Sequence, residues 1–250
     1  MRRLIVIPYL AKEAQGRELD YAVKGWRTHF KEPYHIVVVG DWNKVVESGK
    51  DISFIPCPQI PDTGVENYRP HLDHINKFRA VREKYPDSYG FIYTTDDVYA
   101  VNDFTMADIL MPKIVSRDMG GDAKSPNGWK RDLARTRETC VENNLPLWNW
   151  VCHLPVYYDW RKLLNVYDLF GCDNRSYIVE NLYFNLYCNG VNPVLIEGNN
   201  SVYKYCVNNT HPNVEELRRA LKEKIWINNT PDGYRSDFDN VMYEHFFGKQ

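Results

Sequence analysis

HIVVVGD, residues 35–41, decides how the chain folds. Its four consecutive β-branched residues form a short apolar run that ends in Gly-Asp. A run of this length and composition, closed by turn residues, predicts a strand that is buried on both faces. Such strands occur in parallel sheets covered by helices, so the neighbouring segments should alternate between strands and helices.

The segments around this strand alternate in that way. LIVIPYL (4–10) is a second short apolar run, and residues 18–30 carry apolar side chains at helical spacing. ISFIPCP (52–58) predicts a third strand, residues 69–85 are compatible with a helix, and GFIYTTDDVYAV (90–101) begins with a fourth strand. The order predicts an α/β fold, a Rossmann-like and mostly parallel sheet with helices on both faces.

The second half of the sequence is less regular. Residues 116–131 contain Gly-Gly and Ser-Pro-Asn-Gly, which predict a mobile surface loop. Residues 145–160 are aromatic and read as extended, 176–190 predict a buried helix stopped by glycine, and 212–226 predict a charged amphipathic helix. The sequence contains no internal repeat and no low-complexity linker, so we expect a single domain over 1–250.

Composition limits the classes of partner. The chain has 250 residues, 44% apolar content and a formal net charge of -2. These values are typical of a folded protein and give no overall attraction to nucleic acid. The opening MRRLIVIPYL lacks a cleavage site for a signal peptide, and no run approaches the roughly 18 apolar residues of a membrane span. We therefore expect no nucleic-acid partner and no transmembrane segment.

The cysteines indicate the redox compartment. Six are present and none lies in a C-x-x-C pair. A chain of this size does not need disulfides to stabilise its core, so the sequence predicts free, buried thiols and a reducing, cytoplasmic location.

Two adjacent carboxylates follow the fourth strand. Asp96 and Asp97 stand where the apolar run FIY ends, in FIYTTDDVYAV (91–101). Ligands of open α/β sheets bind beyond the carboxyl ends of the strands, and hard oxygen ligands suit Mg²⁺ or Mn²⁺ next to phosphate oxygens. The pattern therefore favours a divalent-cation site for a diphosphate. A solvated turn is the alternative, because surface turns often contain the same dipeptide.

These segments resemble a known family. The order of LIVIPYL, HIVVVGDWN, a helix with Asn76 and Lys77, and YGFIYTTDDVYAV resembles the nucleotide-sugar-binding half of GT-A-fold glycosyltransferases, whose DxD motif matches Thr95-Asp96-Asp97. CHLPVYYDWRKL and VENLYFNLYCNG are similar to small bacterial and phage glycosyltransferase-like proteins, and FIYTTDD resembles the FIYxNDD motif of Stealth capsule sugar-phosphate transferases. The match covers residues 1–190. It departs from the family at Thr95, where the motif has Asp, and in lacking a W-G-x-E-D acceptor motif.

The resemblance implies a function and a division of the chain. Residues 1–110 would bind the nucleotide sugar, and 111–250 would bind the acceptor, with 116–131 as a lid that excludes water from the donor. The implied activity is metal-dependent transfer of a sugar from a nucleoside diphosphate sugar, most simply a UDP-sugar, to a glycan acceptor in bacterial polysaccharide biosynthesis. Sugar-1-phosphate transfer of the Stealth kind and a non-catalytic module that binds glycan or protein remain alternatives.

The resemblance also implies metal ligands. Asp97 would bind Mn²⁺ or Mg²⁺, and Asp96 would bind the ribose or a metal-bound water. His153 is the first candidate for a third ligand, with a core histidine as the alternative reading. His211 and His245 compete for that ligand position.

Donor contacts follow in the same way. Pro8 and Tyr9 would flank the nucleotide base, and Asp41 would contact uracil or ribose. Asn76 and Lys77 would touch the sugar or the diphosphate. A turn role for Asp41 and a solvated helix face for Asn76 and Lys77 remain open.

The catalytic candidates lie in the second half. Glu180 stands in an apolar helix, where an unpaired carboxylate is costly, so it faces either the cleft or solvent. We expect it to be the general base, with Asp173 as an alternate base. Arg131 and Arg135 would close over the diphosphate, unless they only mark a solvated helix start. Nearby aromatic residues such as Trp150 are expected either to stack on sugar rings or to belong to the core.

Overall fold

The computed structural model describes residues 2–61 and 68–248. Within these residues the strands are β1 (Arg3–Tyr9), β2 (Tyr34–Gly40), β3 (Ile52–Pro56), β4 (Gly90–Tyr93), β5 (Val98–Ala100), β6 (Lys113–Ile114), β7 (Val156–Asp159), β8 (Val194–Leu195), β9 (Lys204–Val207) and β10 (Trp226–Asn229). The helices are α1 (Glu18–His29), α2 (Arg69–Lys84), α3 (Met106–Leu110), α4 (Gly128–Glu142), α5 (Trp160–Phe170), α6 (Val179–Tyr187), α7 (Val214–Glu223) and α8 (Ser236–Phe247).

The central sheet has the strand order β3-β2-β1-β4-β7. β1 runs parallel to β2 and β4, and β2 runs parallel to β3. β7 closes the far edge antiparallel to β4. The predicted mostly parallel sheet is therefore confirmed, and its carboxyl ends meet along one edge.

Alternation along the strands explains why both faces are covered. Leu4 and Val6 of β1 point to one face, where they pack with apolar residues of α2, α4, α5 and α6. Ile5 and Ile7 point to the other face, where α1 and β5 contribute the partners. Side chains alternate between the two faces of a strand, so a continuous apolar run fills both cores at once.

A second, smaller sheet lies beyond α1. Its order is β5-β10-β9, with β10 antiparallel to β5 and parallel to β9. A third apolar cluster joins this sheet to α1, α7 and α8. The pairing brings residues 226–229 against the segment that follows Asp97, where the amide of Asn229 donates to the carbonyl of Asp97 at 3.4 Å.

Two ranges predicted from the sequence need correction. Residues 128–131 are the first turn of α4 rather than loop, because the side chain of Asn127 caps the helix by accepting from the amide of Trp129. The aromatic stretch 145–160 is extended only in part: it ends in β7, and Asp159 then caps α5.

The buried helix predicted at 176–190 is α6, and the amphipathic helix predicted at 212–226 is α7. All six cysteines are free thiols, four of them buried. None of the helices in the described residues combines the length and the apolar character that crossing a membrane requires.

Gly40, at the carboxyl end of β2, occupies a position that requires glycine. Its φ is +133°, and a Cβ there would lie 2.0 Å from the carbonyl oxygen of Tyr9. We expect Gly40→Ala to lower the free energy of unfolding by about 3 kcal/mol, from the backbone conformation and the clash together. Urea denaturation measures the loss.

Gly171 provides the matched control, since its φ is +65° and no atom lies within 4 Å of the site of a Cβ. Gly171→Ala should cost only about 1 kcal/mol. Equal losses in the two variants would contradict the steric argument.

Candidate functional site

Two cavities adjoin at the carboxyl edge of the central sheet. The first, which we name the β1 cleft, has a volume of about 400 Å³ and is bordered by Pro8, Tyr9, Glu18 and Asp96. The second, the aromatic cavity, has a volume of about 290 Å³. Its walls include His71, Trp129, His153, Tyr177 and Glu180. The two cavities share Tyr68, Pro70, His74, Thr95 and Asp97.

Asp96 and Asp97 occupy the tight connection between β4 and β5. The amide of Thr94 still pairs with the carbonyl of Val6, and the amide of Val98 donates to the carbonyl of Thr95. The chain therefore turns as soon as the sheet ends. Asp97 accepts a hydrogen bond from the hydroxyl of Thr95 and faces both cavities, whereas Asp96 faces the β1 cleft.

The electrostatic state of this turn is unusual. Burial raises the pKa of Asp96 well above its ordinary value, and the charges of Asp97 and Glu18 raise it further. Burial also raises the pKa of Asp97, while the Thr95 hydroxyl and His153 act in the opposite direction. Each carboxylate therefore stands in a poorly hydrated place beside others of the same sign.

Glu18 is the third carboxylate, and the sequence analysis missed it. It begins α1, is 4% exposed, and accepts from the amide of Gln15 at 2.6 Å and from Nδ2 of Asn229 at 2.7 Å. Burial raises its pKa from 4.5 to about 7. Among the described residues, none of these three carboxylates forms an ion pair with Lys, Arg or His.

These carboxylates fit a divalent cation that is held partly by the protein and partly by a bound substrate. In residues 2–61 and 68–248, no three acidic, histidine or cysteine side chains stand together closely enough to hold a metal by themselves. An ion here would take one or two carboxylates and complete its shell with oxygens of a bound substrate, as Mg²⁺ commonly does beside phosphates. Asp96, Asp97 and Glu18 are available for such binding, because no cationic side chain among the described residues already pairs with them.

The three candidate histidine ligands lie in different places. His153 is exposed toward the aromatic cavity, has a left-handed backbone with φ of +50°, and interacts electrostatically with Asp97. The apolar groups around its ring lower the pKa of His153, and the charge of Asp97 opposes this effect. His211 is exposed and His245 lies on α8 near His29; neither borders the two cavities.

Of the predicted donor contacts, Pro8, Tyr9 and Lys77 border the β1 cleft. Lys77 is 2% exposed and pairs with Asp73, one turn earlier on α2. Its charge is therefore already compensated, which fits a structural role as well as a binding role.

Asp41 and Asn76 do not border either cavity. Asp41 accepts from the amide of Ala11 at 2.9 Å and so fixes the loop after β1. Asn76 is exposed and its Nδ2 contacts Sγ of Cys57 at 3.3 Å. The turn role considered for Asp41 and the solvated face considered for Asn76 agree with these positions.

The predicted arginines contact the protein itself. Arg131 donates to the carbonyls of Ser125 and Pro126 at 2.7 and 2.8 Å, and Arg135 donates to Asp132 and to Ser176. Neither borders the cavities. The cations at the β1 cleft are instead Lys77, which pairs with Asp73, and Arg69, in the first turn of α2.

The two candidate bases, Glu180 and Asp173, have different surroundings. Glu180 is half-buried in the first turn of α6, borders the aromatic cavity and has no hydrogen-bond or ion-pair partner among the described residues. Burial raises its pKa from 4.5 to about 8. Asp173 is exposed, pairs with Arg79 at 2.7 Å and borders neither cavity.

Two histidines of α2 were not anticipated. His74 lies where the cavities meet, and burial lowers its pKa to about 4, so it is uncharged at neutral pH. His71 borders the aromatic cavity, and its Nδ1 lies 2.6 Å from Asp132. The sequence does contain a signal for these two residues. A helix that leads into a parallel strand begins at the carboxyl edge of the sheet, so the first turn of α2 is nearer to a ligand site than Asn76, which lies farther along the helix.

Most of the aromatic stretch belongs to the core. Trp150, Tyr158 and Trp160 are each at most 3% exposed. The rings that border the aromatic cavity come mainly from other segments, among them Tyr68, Trp129 and Tyr177.

Comparison with known proteins gives a likeness of fold. No family model and no curated protein matches the chain. Among solved structures it is similar to WbbM, a bifunctional glycosyltransferase, with 9% identity and a TM-score of 0.50 over 99% of this chain and 50% of that one. It is also similar to a glycosyltransferase involved in the glycosylation of the major capsid of PBCV-1, with 12% identity, a TM-score of 0.43 and 97% and 98% of the two chains covered.

A third similar structure is the glycosyltransferase GlyE of Streptococcus pneumoniae TIGR4, with 11% identity, a TM-score of 0.40, and 99% of this chain and 60% of that one covered. The chain thus spans half to three-fifths of the length of WbbM and GlyE. The likeness to WbbM is one of fold alone, and it agrees with the predicted GT-A-like α/β architecture.

The raised pKa of Glu18 predicts a pH dependence of stability. Because its pKa is about 7 in the folded protein and 4.5 as an ordinary glutamate, stability should fall as pH rises from 4.5 through 7. Without metal, ionisation of Glu18 alone should lower the free energy of unfolding by about 2 to 3 kcal/mol between pH 5 and 8. Urea denaturation in EDTA measures the free energy of unfolding at each pH. Between pH 5 and 8 it should fall by about 2 to 3 kcal/mol less in Glu18→Gln than in the wild type.

Glu32 is the control, because hydrogen bonds from the amide of Met106 and from Arg3 lower its pKa. The stability that ionised Glu32 contributes is fully present above pH 4.5. Between pH 5 and 8, the free energy of unfolding of Glu32→Gln should therefore change as much as that of the wild type. If the stability of Glu18→Gln changed with pH as that of Glu32→Gln does, the raised pKa of Glu18 would be wrong.

Proposed function

We propose that this protein is a metal-dependent glycosyltransferase that moves a sugar from a nucleoside diphosphate sugar, most simply a UDP-sugar, to a glycan acceptor. One observation carries the proposal. Three carboxylates without an ion-pair partner among the described residues stand at the carboxyl edge of a glycosyltransferase-like sheet, where two cavities meet at Asp97. One cavity is suited to the donor and the other to the acceptor.

The β1 cleft supplies what a nucleoside diphosphate needs. Tyr9 offers an aromatic side chain at the end of β1, and its hydroxyl is fixed by Nδ2 of Asn43 at 3.0 Å. Arg69 offers a cation with no ion-pair partner among the described residues. The N-terminus of α2 lies at the same place, and helix N-termini favour bound phosphates.

Asp97, alone or with one neighbouring carboxylate, would hold a Mn²⁺ or Mg²⁺ ion, whose chemistry is to neutralise the charge that develops on a leaving diphosphate. A bound cation would also relieve the repulsion that raises the pKa of Asp96 and of Glu18, which supports a cation at this position. The Thr95 hydroxyl keeps Asp97 oriented by donating to one of its oxygens.

Transfer requires a base for the acceptor hydroxyl. In our proposal the acceptor oxygen bonds to the anomeric carbon, the bond from that carbon to the diphosphate breaks, and Glu180 takes the hydroxyl proton. Glu180 has no competing partner among the described residues, and its pKa of about 8 is matched to proton transfer near neutral pH. Asp173, which pairs with Arg79 at the surface, supports this role less well.

The arginines bear on the choice of reaction. Sugar-phosphate transfer of the Stealth kind needs cations around the transferred phosphate, whereas Arg131 and Arg135 contact carbonyls, Asp132 and Ser176 away from both cavities. Glycosyl transfer is therefore our proposal. The free cysteines support a reducing, cytoplasmic setting, and we propose bacterial polysaccharide biosynthesis as the context.

Nucleotide binding is the primary test. Calorimetric titration of UDP, GDP and CDP in the presence of Mn²⁺ should give binding on the order of micromolar for one nucleotide, UDP by expectation. EDTA should abolish the binding, and so should Asp97→Asn, which keeps the side-chain shape but removes the charge that holds the ion.

Asp87→Asn is the matched control, since Asp87 is an exposed aspartate in the turn before β4, at the opposite end of the same strand. This variant should bind as the wild type does. A folded wild-type protein that binds none of the three nucleotides would refute the proposed donor site.

The pKa of Glu180 predicts a pH profile. A base must be ionised to act, so kcat/KM should rise with pH and level off above about 8. Glu180→Gln should lower kcat by about 10² to 10⁴ and remove the rise. Release of the nucleoside diphosphate at a series of pH values measures both effects.

Asp173→Asn separates the two candidate bases. With Asp173 at the surface, we expect this variant to keep both the rate and the pH profile of the wild type. The opposite result, an inactive Asp173→Asn beside an active Glu180→Gln, would reverse the assignment.

A further inference from the structure

A histidine and an aspartate form an oriented pair at the wall of the aromatic cavity. Nδ1 of His71, in the first turn of α2, lies 2.6 Å from Oδ2 of Asp132 on α4. Asp132 is 1% exposed, and its other oxygen accepts from Arg135 at 3.0 Å and from the hydroxyl of Ser176 at 2.8 Å. The carboxylate is therefore fixed from three sides, and it fixes His71 in turn.

The pair determines the proton arrangement of the imidazole. An ionised carboxylate only accepts hydrogen bonds, so Nδ1 of His71 carries the hydrogen that faces Asp132. In the neutral ring, Nε2 is then a hydrogen-bond acceptor. Nε2 has no hydrogen-bond partner among the described residues, and His71 borders the aromatic cavity.

Two aromatic rings pack against the imidazole of His71. The ring centroid of Tyr68 lies 4.9 Å from that of His71, and the centroid of Trp129 lies 5.3 Å away; both residues border the cavity. The cavity thus combines aromatic surfaces with the acceptor atoms of His71 and Asp97. A ligand that fits must offer apolar C–H faces and several hydroxyl donors, and a neutral sugar ring offers both.

Size and charge narrow the ligand further. A volume of about 290 Å³ lies at the lower end of small-molecule pockets, so it suits one ring rather than an extended chain. The negative charge of Asp97 disfavours an anionic ligand such as a sugar phosphate.

We propose that the aromatic cavity binds a single neutral pyranose of the acceptor, and that His71, oriented by Asp132, accepts a hydrogen bond from one of its hydroxyls. This inference rests on the proposed function, because it takes the aromatic cavity as the acceptor side. His71 acts here in binding and specificity, while Glu180 remains the base.

The test is direct binding without a donor. Saturation-transfer NMR and titration with the methyl glycosides of glucose, galactose, mannose and N-acetylglucosamine should detect binding of at least one to the wild type. His71→Phe keeps a flat ring but removes Nε2, and it should weaken that binding by about tenfold, the effect of one lost hydrogen bond. His71→Gln, which returns an acceptor oxygen, should recover part of the affinity.

The matched control is His29→Phe. His29 also pairs through Nδ1 with an aspartate, Asp103, at 3.0 Å, but it lies at the end of α1 and borders neither cavity. This variant should bind the sugar as the wild type does. Thermal unfolding of all variants identifies any that fail to fold, and a purely structural role of His71 would lower Tm without changing sugar affinity in the folded variants.

Deoxy analogues identify the anchored hydroxyl. The analogue that lacks it should bind the wild type about tenfold more weakly than the parent glycoside, yet both should bind His71→Phe equally. Unchanged affinity in His71→Phe, or no binding of any glycoside to the wild type, would overturn the inference.

Failure of the inference can be told from failure of the proposed function. If UDP binds with Mn²⁺ but no glycoside binds, the donor site stands and the sugar pocket is refuted. If glycosides bind through His71 but no nucleotide binds, the sugar pocket stands and the transferase is refuted.

Discussion

The repulsion between Asp96, Asp97 and Glu18 is the constraint on which the site depends. Burial raises the pKa of all three carboxylates, the charge of Asp97 raises the pKa of Asp96 and Glu18 further, and no cationic side chain among the described residues pairs with them. The fold tolerates this cost by hydrogen bonding, through Thr95 to Asp97 and Asn229 to Glu18. This arrangement at the junction of two cavities is the basis of the cation site that we propose.

The central parallel sheet and its helices could be predicted from the sequence, because local apolar patterns encode them. Runs such as Ile36–Val39 are apolar on both faces, and only a covered parallel sheet satisfies them. β10 was missed because its four residues carry no distinctive pattern: its strand state comes from pairing with β5, more than a hundred residues earlier. The start of α4 was missed because Ser-Pro-Asn-Gly reads as a turn, although Asn127 uses the same chemistry to cap a helix.

For the site, strand ends were easier to predict than helix starts. Asp97, His153 and Glu180 were chosen from the sequence, and the fold brings all three to the aromatic cavity. Glu18 and His71 stand at helix beginnings, and their local sequence does not show what each of them contacts. Glu18 becomes a buried site residue only through Asn229, which is 211 positions away, and His71 becomes oriented only through Asp132 on α4. Contacts over such separations leave no local trace in a sequence.

The late position of β10 in the chain has a consequence for synthesis, because Asn229 is the partner of Glu18. A ribosome releases the strands of the parallel sheet first, and they can pair before residue 226 exists. Glu18 gains the amide of Asn229, and the carbonyl of Asp97 gains its donor, only when β10 has been synthesised. A nascent chain can therefore hold a nearly complete sheet while its carboxylate edge is still unbraced. The chemistry of this protein would become available last, after the fold that carries it is already in place.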